Sequence, residues 1–193
     1  MRSESRPVSP WNIANVVTVA RIFLVPVFAV FVVLSGMEDS AWRMLAAALF
    51  VFISATDFVD GWLARSRGLV TEFGKLADPI ADKALIGTAL VLLSFYDALL
   101  WWVTALILLR ELGITALRVA VLKHAVIAAG RGGKLKTVLQ IAAVAWYLWP
   151  WPEPLDAVGP WLMGAALLLT VGTGIDYLWK AFKLRRGDAG RTR

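Results

Sequence analysis

The sequence predicts an all-α integral membrane protein: a bundle of six transmembrane helices with both termini in the cytoplasm. Three observations carry that prediction. Of the 193 residues, 59% are hydrophobic and only 18% charged, where soluble domains run at roughly 45–50% and about 25%. The apolar residues fall into runs too long for ordinary core helices, interrupted by isolated charges. The 20 basic residues, which outnumber 14 acidic ones and leave a formal charge of +6, gather on alternate connections. Mean hydropathy is +0.69, and ten tryptophans suit the lipid–water boundary, where indole rings settle. These figures exclude a soluble enzyme, a disordered chain and a collagen-like fibre. The lack of cysteine excludes a disulfide scaffold, thiolate chemistry and zinc–sulfur sites.

A helix needs about 20 residues to cross a bilayer, and each element is judged against that length. Residues 1–12 form a short polar cytoplasmic segment with Arg2 and Arg6. It is not a cleavable signal, because the apolar stretch that follows is long and ends in no small-residue cleavage site. Helix 1 (15–36) has sixteen uncharged residues between Arg21 and Glu38, which puts Arg21 one turn inside it. Helix 2 (41–64) has thirteen between Arg43 and Asp57, so it spans only with Asp57 and Asp60 within it. Helix 3 (74–95) has thirteen between Lys83 and Asp97 and carries Asp78 and Asp82 in its first turns. Helix 4 (98–122) has twelve between Asp97 and Arg110, with Arg110 and Glu111 inside. Helix 5 (136–150) has sixteen between Lys136 and Glu153, and helix 6 (158–180) nineteen between Asp156 and Asp176. Together 15–180 make the core of a single membrane domain, 1–193, that ends in a basic cytoplasmic tail, 181–193.

Charge sets the orientation. Arg65, Arg67, Lys75, Lys123, Arg131, Lys134 and Lys136 lie on one set of connections, with Lys180, Lys183, Arg185 and Arg186 after the last helix. Glu38, Asp39, Asp97, Glu153 and Asp156 lie on the other, with Arg43 its one basic residue. The basic side faces the cytoplasm and touches anionic lipid. Nucleic acid is not implied, since no soluble domain carries a basic–aromatic patch. Trp149-Pro-Trp-Pro-Glu-Pro reads as a stiff outer turn with its tryptophans at the interface. Lone His124 reads as a structural or surface residue.

Ionisable groups inside spans are expensive and mark function. Asp57, Asp60, Gly61 and Ala64 stand at i, i+3, i+4 and i+7, and Gly74, Asp78 and Asp82 at i, i+4 and i+8, so each set shares a helix face. Two adjacent antiparallel helices would aim four carboxylates at one another near the cytoplasmic boundary, with small residues leaving room between them. Four such groups cannot all stay ionised without cations. Hard oxygen ligands suit Mg²⁺ or Mn²⁺, and a pair of ions suits phosphoryl chemistry. On a soluble helix the same acids would be an ordinary solvated face.

Written out, Asp57-x-x-Asp60-Gly61-x-x-Ala64-Arg65, eight residues, then Gly74-x-x-x-Asp78-x-x-x-Asp82 resembles the CDP-alcohol phosphatidyltransferase signature at every fixed position. The likeness extends over residues 12–180. Asn15-Val-Val-Thr18-Val-Ala-Arg21, Thr71-Glu-Phe-Gly74-Lys, Arg110-Glu-Leu-Gly-Ile-Thr-Ala-Leu-Arg118 and Gly133-Lys134-Leu-Lys136-Thr resemble the bacterial branch of that family whose acceptor is glycerol 3-phosphate, the phosphatidylglycerophosphate synthases. The resemblance implies a six-helix homodimer in the cell membrane whose active site faces the cytoplasm. It implies transfer of the phosphatidyl group of CDP-diacylglycerol to glycerol 3-phosphate, with two divalent cations and release of CMP. Asp57, Asp60 and Asp78 would hold one cation, and Asp57, Asp78 and Asp82 the other, with Asp82 also the general base. Gly61, Ala64 and Gly74 would form the cytidine slot, with Asp60 and Arg65 close to the nucleotide. Asn15, Thr18 and Arg21 of helix 1 are further candidates to bind the CDP-lipid, and an unpaired guanidinium inside a span is costly, so Arg21 should meet the diphosphate or a carboxylate.

A dianionic acceptor wants fixed cations. Arg118 and Lys134, with Arg110 and Lys136 behind them, are the candidates; the two lysines also fit a purely topogenic role. Glu111, Thr115 and Arg118 share a face as a polar stripe. Competing readings are a sibling using inositol phosphate, serine or phosphatidylglycerol, an aspartate-rich membrane prenyltransferase, and a small divalent-cation transporter. The prenyltransferase has more helices and another acid spacing. The transporter leaves the Gly/Ala slot unexplained.

Overall fold

The computed structural model describes residues 13–66, 71–121 and 131–189. Six α-helices run through them: α1 (Ile13–Ser35), α2 (Ser40–Ser66), α3 (Glu72–Phe95), α4 (Trp101–Val121), α5 (Arg131–Leu148) and α6 (Val158–Ala189). A turn of 3-10 helix, Leu155–Ala157, precedes α6, and the described residues contain no strand. Three segments, Asn15–Ser35, Ser40–Val59 and Leu155–Trp179, are long and apolar enough to cross a membrane, and Leu135–Leu148 is a shorter apolar stretch. The protein is therefore a helical membrane protein of several passes. The other helices fall short for a visible reason. Asp78, Asp82 and Lys83 occupy the first half of α3, Arg110 and Glu111 the middle of α4, and α5 opens on Arg131-Gly-Gly-Lys.

Two boundaries differ from the sequence expectation by five residues or more. α5 begins at Arg131 rather than 136, so Lys134 and Lys136 lie in a helix and not in a connection. α6 continues to Ala189 rather than stopping at 180, so most of the expected tail is helix. Ala, Leu, Lys and Arg are strong helix formers, and no proline interrupts them between Lys180 and Ala189.

The helices fall into two compact units, Met1–Tyr96 with Leu148–Pro150, and Asp97–Tyr147 with Trp151–Arg193. In the first, α1 packs on both α2 and α3, which touch each other little. The buried stripe of α1 is Asn15, Thr18, Arg21, Val25, Phe28, Val32 and Ser35, a helical i, i+3, i+4 repeat. The residues that α2 and α3 bury include Ala46, Ala47, Ala81 and Ala89, and small residues of this kind let helices approach closely. Phe28 and Phe50 fill the remaining space with ring centroids 5.6 Å apart. Val16, Phe23, Val30 and Val33 stay exposed on the other side of α1, as lipid contact requires. The turn into α2 is tight because Gly36 and Met37 adopt φ of 52° and 61°. Asp39 then caps α2, its Oδ1 accepting from the N–H groups of Ala41 at 2.8 Å and Trp42 at 3.1 Å.

In the second unit α6 packs on α4. Trp146 of α5 holds Trp151 and the start of the 3-10 turn. Trp146 and Trp151 stack with centroids 4.3 Å apart, and Trp146 Nε1 donates to the Leu155 carbonyl at 2.9 Å.

Candidate active site

The lower, polar half of the α1 stripe organises the acidic residues. Asn15 is 5% exposed, and Thr18 and Arg21 are each 2% exposed; polar groups buried so deeply require partners. Thr18 donates its hydroxyl to Asp78 Oδ1 at 2.6 Å. Arg21 Nη1 pairs with Asp57 Oδ1, a charge-assisted bond in which the guanidinium is almost dry and the carboxylate side chain 37% exposed. One face of α1 thus grips an acid on α2 and an acid on α3. A buried arginine inside a span needs such a carboxylate.

The entry to α3 is tied to the same face. Thr71, with extended backbone (φ −109°, ψ 159°), caps the helix by accepting the Gly74 N–H at 3.0 Å. Its hydroxyl donates in turn to Asn15 Oδ1 at 2.8 Å. A Cβ at Gly74 would lie 3.0 Å from Asn15 Oδ1, 3.3 Å from Thr71 Oγ1 and 3.9 Å from Asp78 Oδ2. Gly74 is therefore glycine because polar side chains crowd over it. Gly74→Ala should displace the Asn15 amide, break its bond to Thr71, and weaken CDP-lipid binding by roughly tenfold, the equivalent of about 1.4 kcal/mol. Unchanged affinity in a direct binding titration would show that the glycine serves helix packing alone.

The expectation that the four aspartates meet across an α2–α3 contact is answered only in part. Asp57 and Asp78 are both joined to α1, and Asp82, half-buried, lies one turn beyond Asp78 on α3. Among the described residues no three acidic or histidine side chains form a metal-binding group. The side chains of Asp60, Gly61, Ala64 and Arg65 on α2, Arg118 on α4 and Lys134 on α5 lie outside the described residues, as does His124 altogether.

Within the second unit, Arg110 and Lys136 do come together, through a residue that sequence reasoning placed only in a polar stripe. Glu111 Oε1 accepts from Arg110 Nη1 at 3.0 Å and from Lys136 Nζ. Arg110 Nη2 donates to Thr173 Oγ1 on α6 at 2.8 Å. Thr71 and Thr173 were missed as site residues. A Thr three residues before Gly74 at a helix start is a legible capping signal, whereas nothing in the sequence ties Thr173 to Arg110.

Residues 11–172 match the model of the CDP-alcohol phosphatidyltransferase family. The chain belongs to that family. A probable phosphatidylglycerophosphate synthase of Mycobacterium tuberculosis is 49% identical to it over 172 residues, covering 89% of this chain and 82% of the relative. The CDP-diacylglycerol–glycerol-3-phosphate 3-phosphatidyltransferase of Bacillus subtilis is 36% identical, over 90% of this chain and 98% of its own. The protein of that name from Rickettsia typhi is 40% identical, over 89% and 97%. Membership makes the protein a phosphatidyltransferase and sets aside the prenyltransferase and transporter readings. The α1 face, the α2 acids and the α3 acids all fall inside the matched span.

Proposed function

We propose that this phosphatidyltransferase transfers the phosphatidyl group of CDP-diacylglycerol to glycerol 3-phosphate, giving phosphatidylglycerophosphate and CMP. The observation that carries the reading is the 36–49% identity, over about nine-tenths of the chain, to relatives named for that reaction. The enzyme works as a homodimer of six-span protomers, with both termini and the active site on the cytoplasmic face.

The donor set suits hard divalent cations. Arg21 and Thr18 each engage Oδ1 of their aspartate, and both carboxylates reach solvent. Asp57, Asp60 and Asp78 are assigned to one Mg²⁺ or Mn²⁺, and Asp57, Asp78 and Asp82 to a second. When bound, these ions neutralise the diphosphate and the charge that develops on the leaving group. Arg21 and Thr18 fix the orientation of Asp57 and Asp78. Gly61, Ala64 and Gly74 leave space for the cytidine ring, with Asn15, Asp60 and Arg65 at its edges. Arg118, Lys134, Arg110 and Lys136 hold the acceptor phosphate. Asp82 takes the proton from the acceptor hydroxyl as its oxygen bonds to the lipid-side phosphorus and the anhydride bond to CMP breaks.

The test incubates the purified full chain with CDP-diacylglycerol and each of glycerol 3-phosphate, inositol phosphate, serine and phosphatidylglycerol, following CMP and the lipid product. Glycerol 3-phosphate should be the preferred acceptor. A chelator should abolish CMP release, and added Mg²⁺ or Mn²⁺ should restore it. Preference for another acceptor overturns the acceptor assignment, and full activity after chelation overturns the cation assignment.

A further inference from the structure

We infer that Thr71 is a positioning residue for the CDP-lipid, setting the orientation of the Asn15 amide over the first turn of α3. The inference rests on the nucleotide slot proposed above and extends it to a residue assigned no substrate contact.

The starting point is the double use of one hydroxyl. Thr71 Oγ1 accepts the Gly74 N–H at 3.0 Å and donates to Asn15 Oδ1 at 2.8 Å. The first bond is an ordinary helix cap and asks nothing of α1. The second joins residues 56 positions apart and is no part of either helix. A hydroxyl has one hydrogen to give, and only the oxygen end of an amide can take it. Thr71 therefore selects which end of the Asn15 side chain faces α3. The nitrogen end is turned away from Thr71, whatever else Asn15 meets there.

The selection matters because the space is narrow. Asn15 is 5% exposed. A Cβ at Gly74 would stand 3.0 Å from Asn15 Oδ1 and 3.9 Å from Asp78 Oδ2. The amide thus rests against the bare backbone proposed to leave space for cytidine, one turn before the aspartate proposed to bridge the cations. That aspartate is held to α1 by the Thr18 hydroxyl. The α1 and α3 faces are therefore tied at successive turns by two threonine hydroxyls, one contributed from each side. Removing the Thr71 hydroxyl lowers the preference for the present amide orientation by one hydrogen bond. An end-for-end turn of the amide exchanges acceptor for donor at the edge of the slot, a change the polar atoms of a nucleotide would feel.

Thr71→Val keeps the shape and removes the hydroxyl. The KM for CDP-diacylglycerol should rise about three- to tenfold, the effect of one neutral hydrogen bond. The KM for glycerol 3-phosphate and the kcat at saturating CDP-lipid should stay within about twofold of wild type. Thr71→Ser, which can still accept and donate, should restore the CDP-lipid KM to within about twofold. The cap is separated from the positioning role by repeating Thr71→Val in an Asn15→Ala background. There the loss of the cap should still lower thermal stability, but the CDP-lipid KM should move by less than about twofold, because contacting residues are not additive. If Thr71→Val does not fold, Thr71→Gly, a residue tolerated at a helix start, carries the same comparison. A fall in stability with the CDP-lipid KM unchanged makes Thr71 a cap alone and overturns the inference. An equal rise in that KM with and without Asn15, or no effect of Asn15→Ala by itself, also overturns it. A wrong donor assignment shows separately, in a wild-type protein that releases no CMP from CDP-diacylglycerol.

Discussion

Asp78→Asn should reduce turnover at least a hundredfold while leaving the fold as stable as wild type. The proposed role of Asp78 is to bridge two cations, and an amide oxygen carries no charge with which to hold them. Losing several kcal/mol of charge stabilisation at the leaving group costs a factor of about ten for every 1.4 kcal/mol. The fold should not notice, because the described partner of Asp78 is the neutral Thr18 hydroxyl at 2.6 Å, which can donate equally well to an amide oxygen. Asp57→Asn should be as inactive but also less stable. Its partner Arg21 has a side chain only 1% exposed, and neutralising the carboxylate removes a counter-charge from a dry guanidinium. Breaking a fully buried pair costs about 3–5 kcal/mol, and partial exposure of Asp57 brings the expected loss below that range. CMP release and the unfolding midpoint in detergent, measured on both variants, separate the two effects. Activity above about a tenth of wild type in Asp78→Asn, less than 1.4 kcal/mol of lost stabilisation, would remove Asp78 from any cation site.

The contrast between those two aspartates shows what the sequence could and could not reveal. Helix number was legible because lipid forces every backbone polar group into internal bonds, so each long apolar run had to be a helix. Helix ends were less so. Once α6 leaves the apolar layer it continues on ordinary helix formers to Ala189, and no hydrophobic boundary marks the stop. The acids were legible through their i, i+3, i+4 spacing beside apolar spans. Their partners were not assignable, because which acid Thr18 or Arg21 reaches depends on how α1 is rotated and set against α2 and α3. That setting depends on side chains far along the stripe, such as Phe28 against Phe50. Glu111 was visible as one charge in a polar stripe. Its contact with Lys136, twenty-five residues later, needed the start of α5 at Arg131, five residues earlier than the charge pattern suggested.

Asp82→Asn is the second decisive variant, and it should fail differently. Asp82 follows Asp78 by one turn of α3, on the same face, and is half-buried. Its assignment as general base predicts loss of the chemical step by roughly 10²- to 10⁴-fold, the usual value of a positioned proton acceptor. CDP-diacylglycerol binding should survive, at least weakly, because Asp57, Asp60 and Asp78 remain to hold a cation against the diphosphate. Single-turnover CMP formation and equilibrium binding of the CDP-lipid, measured side by side, give the two quantities. A variant that binds and does not react supports the base. If binding disappears together with reaction, Asp82 acts chiefly as a metal ligand, and the proton must pass to another acceptor. If reaction persists at more than about a tenth of the wild-type rate, proton removal by Asp82 contributes less than 1.4 kcal/mol to the barrier. The acceptor hydroxyl would then lose its proton to solvent or to the departing phosphate, and α3 would supply this enzyme with cation ligands only.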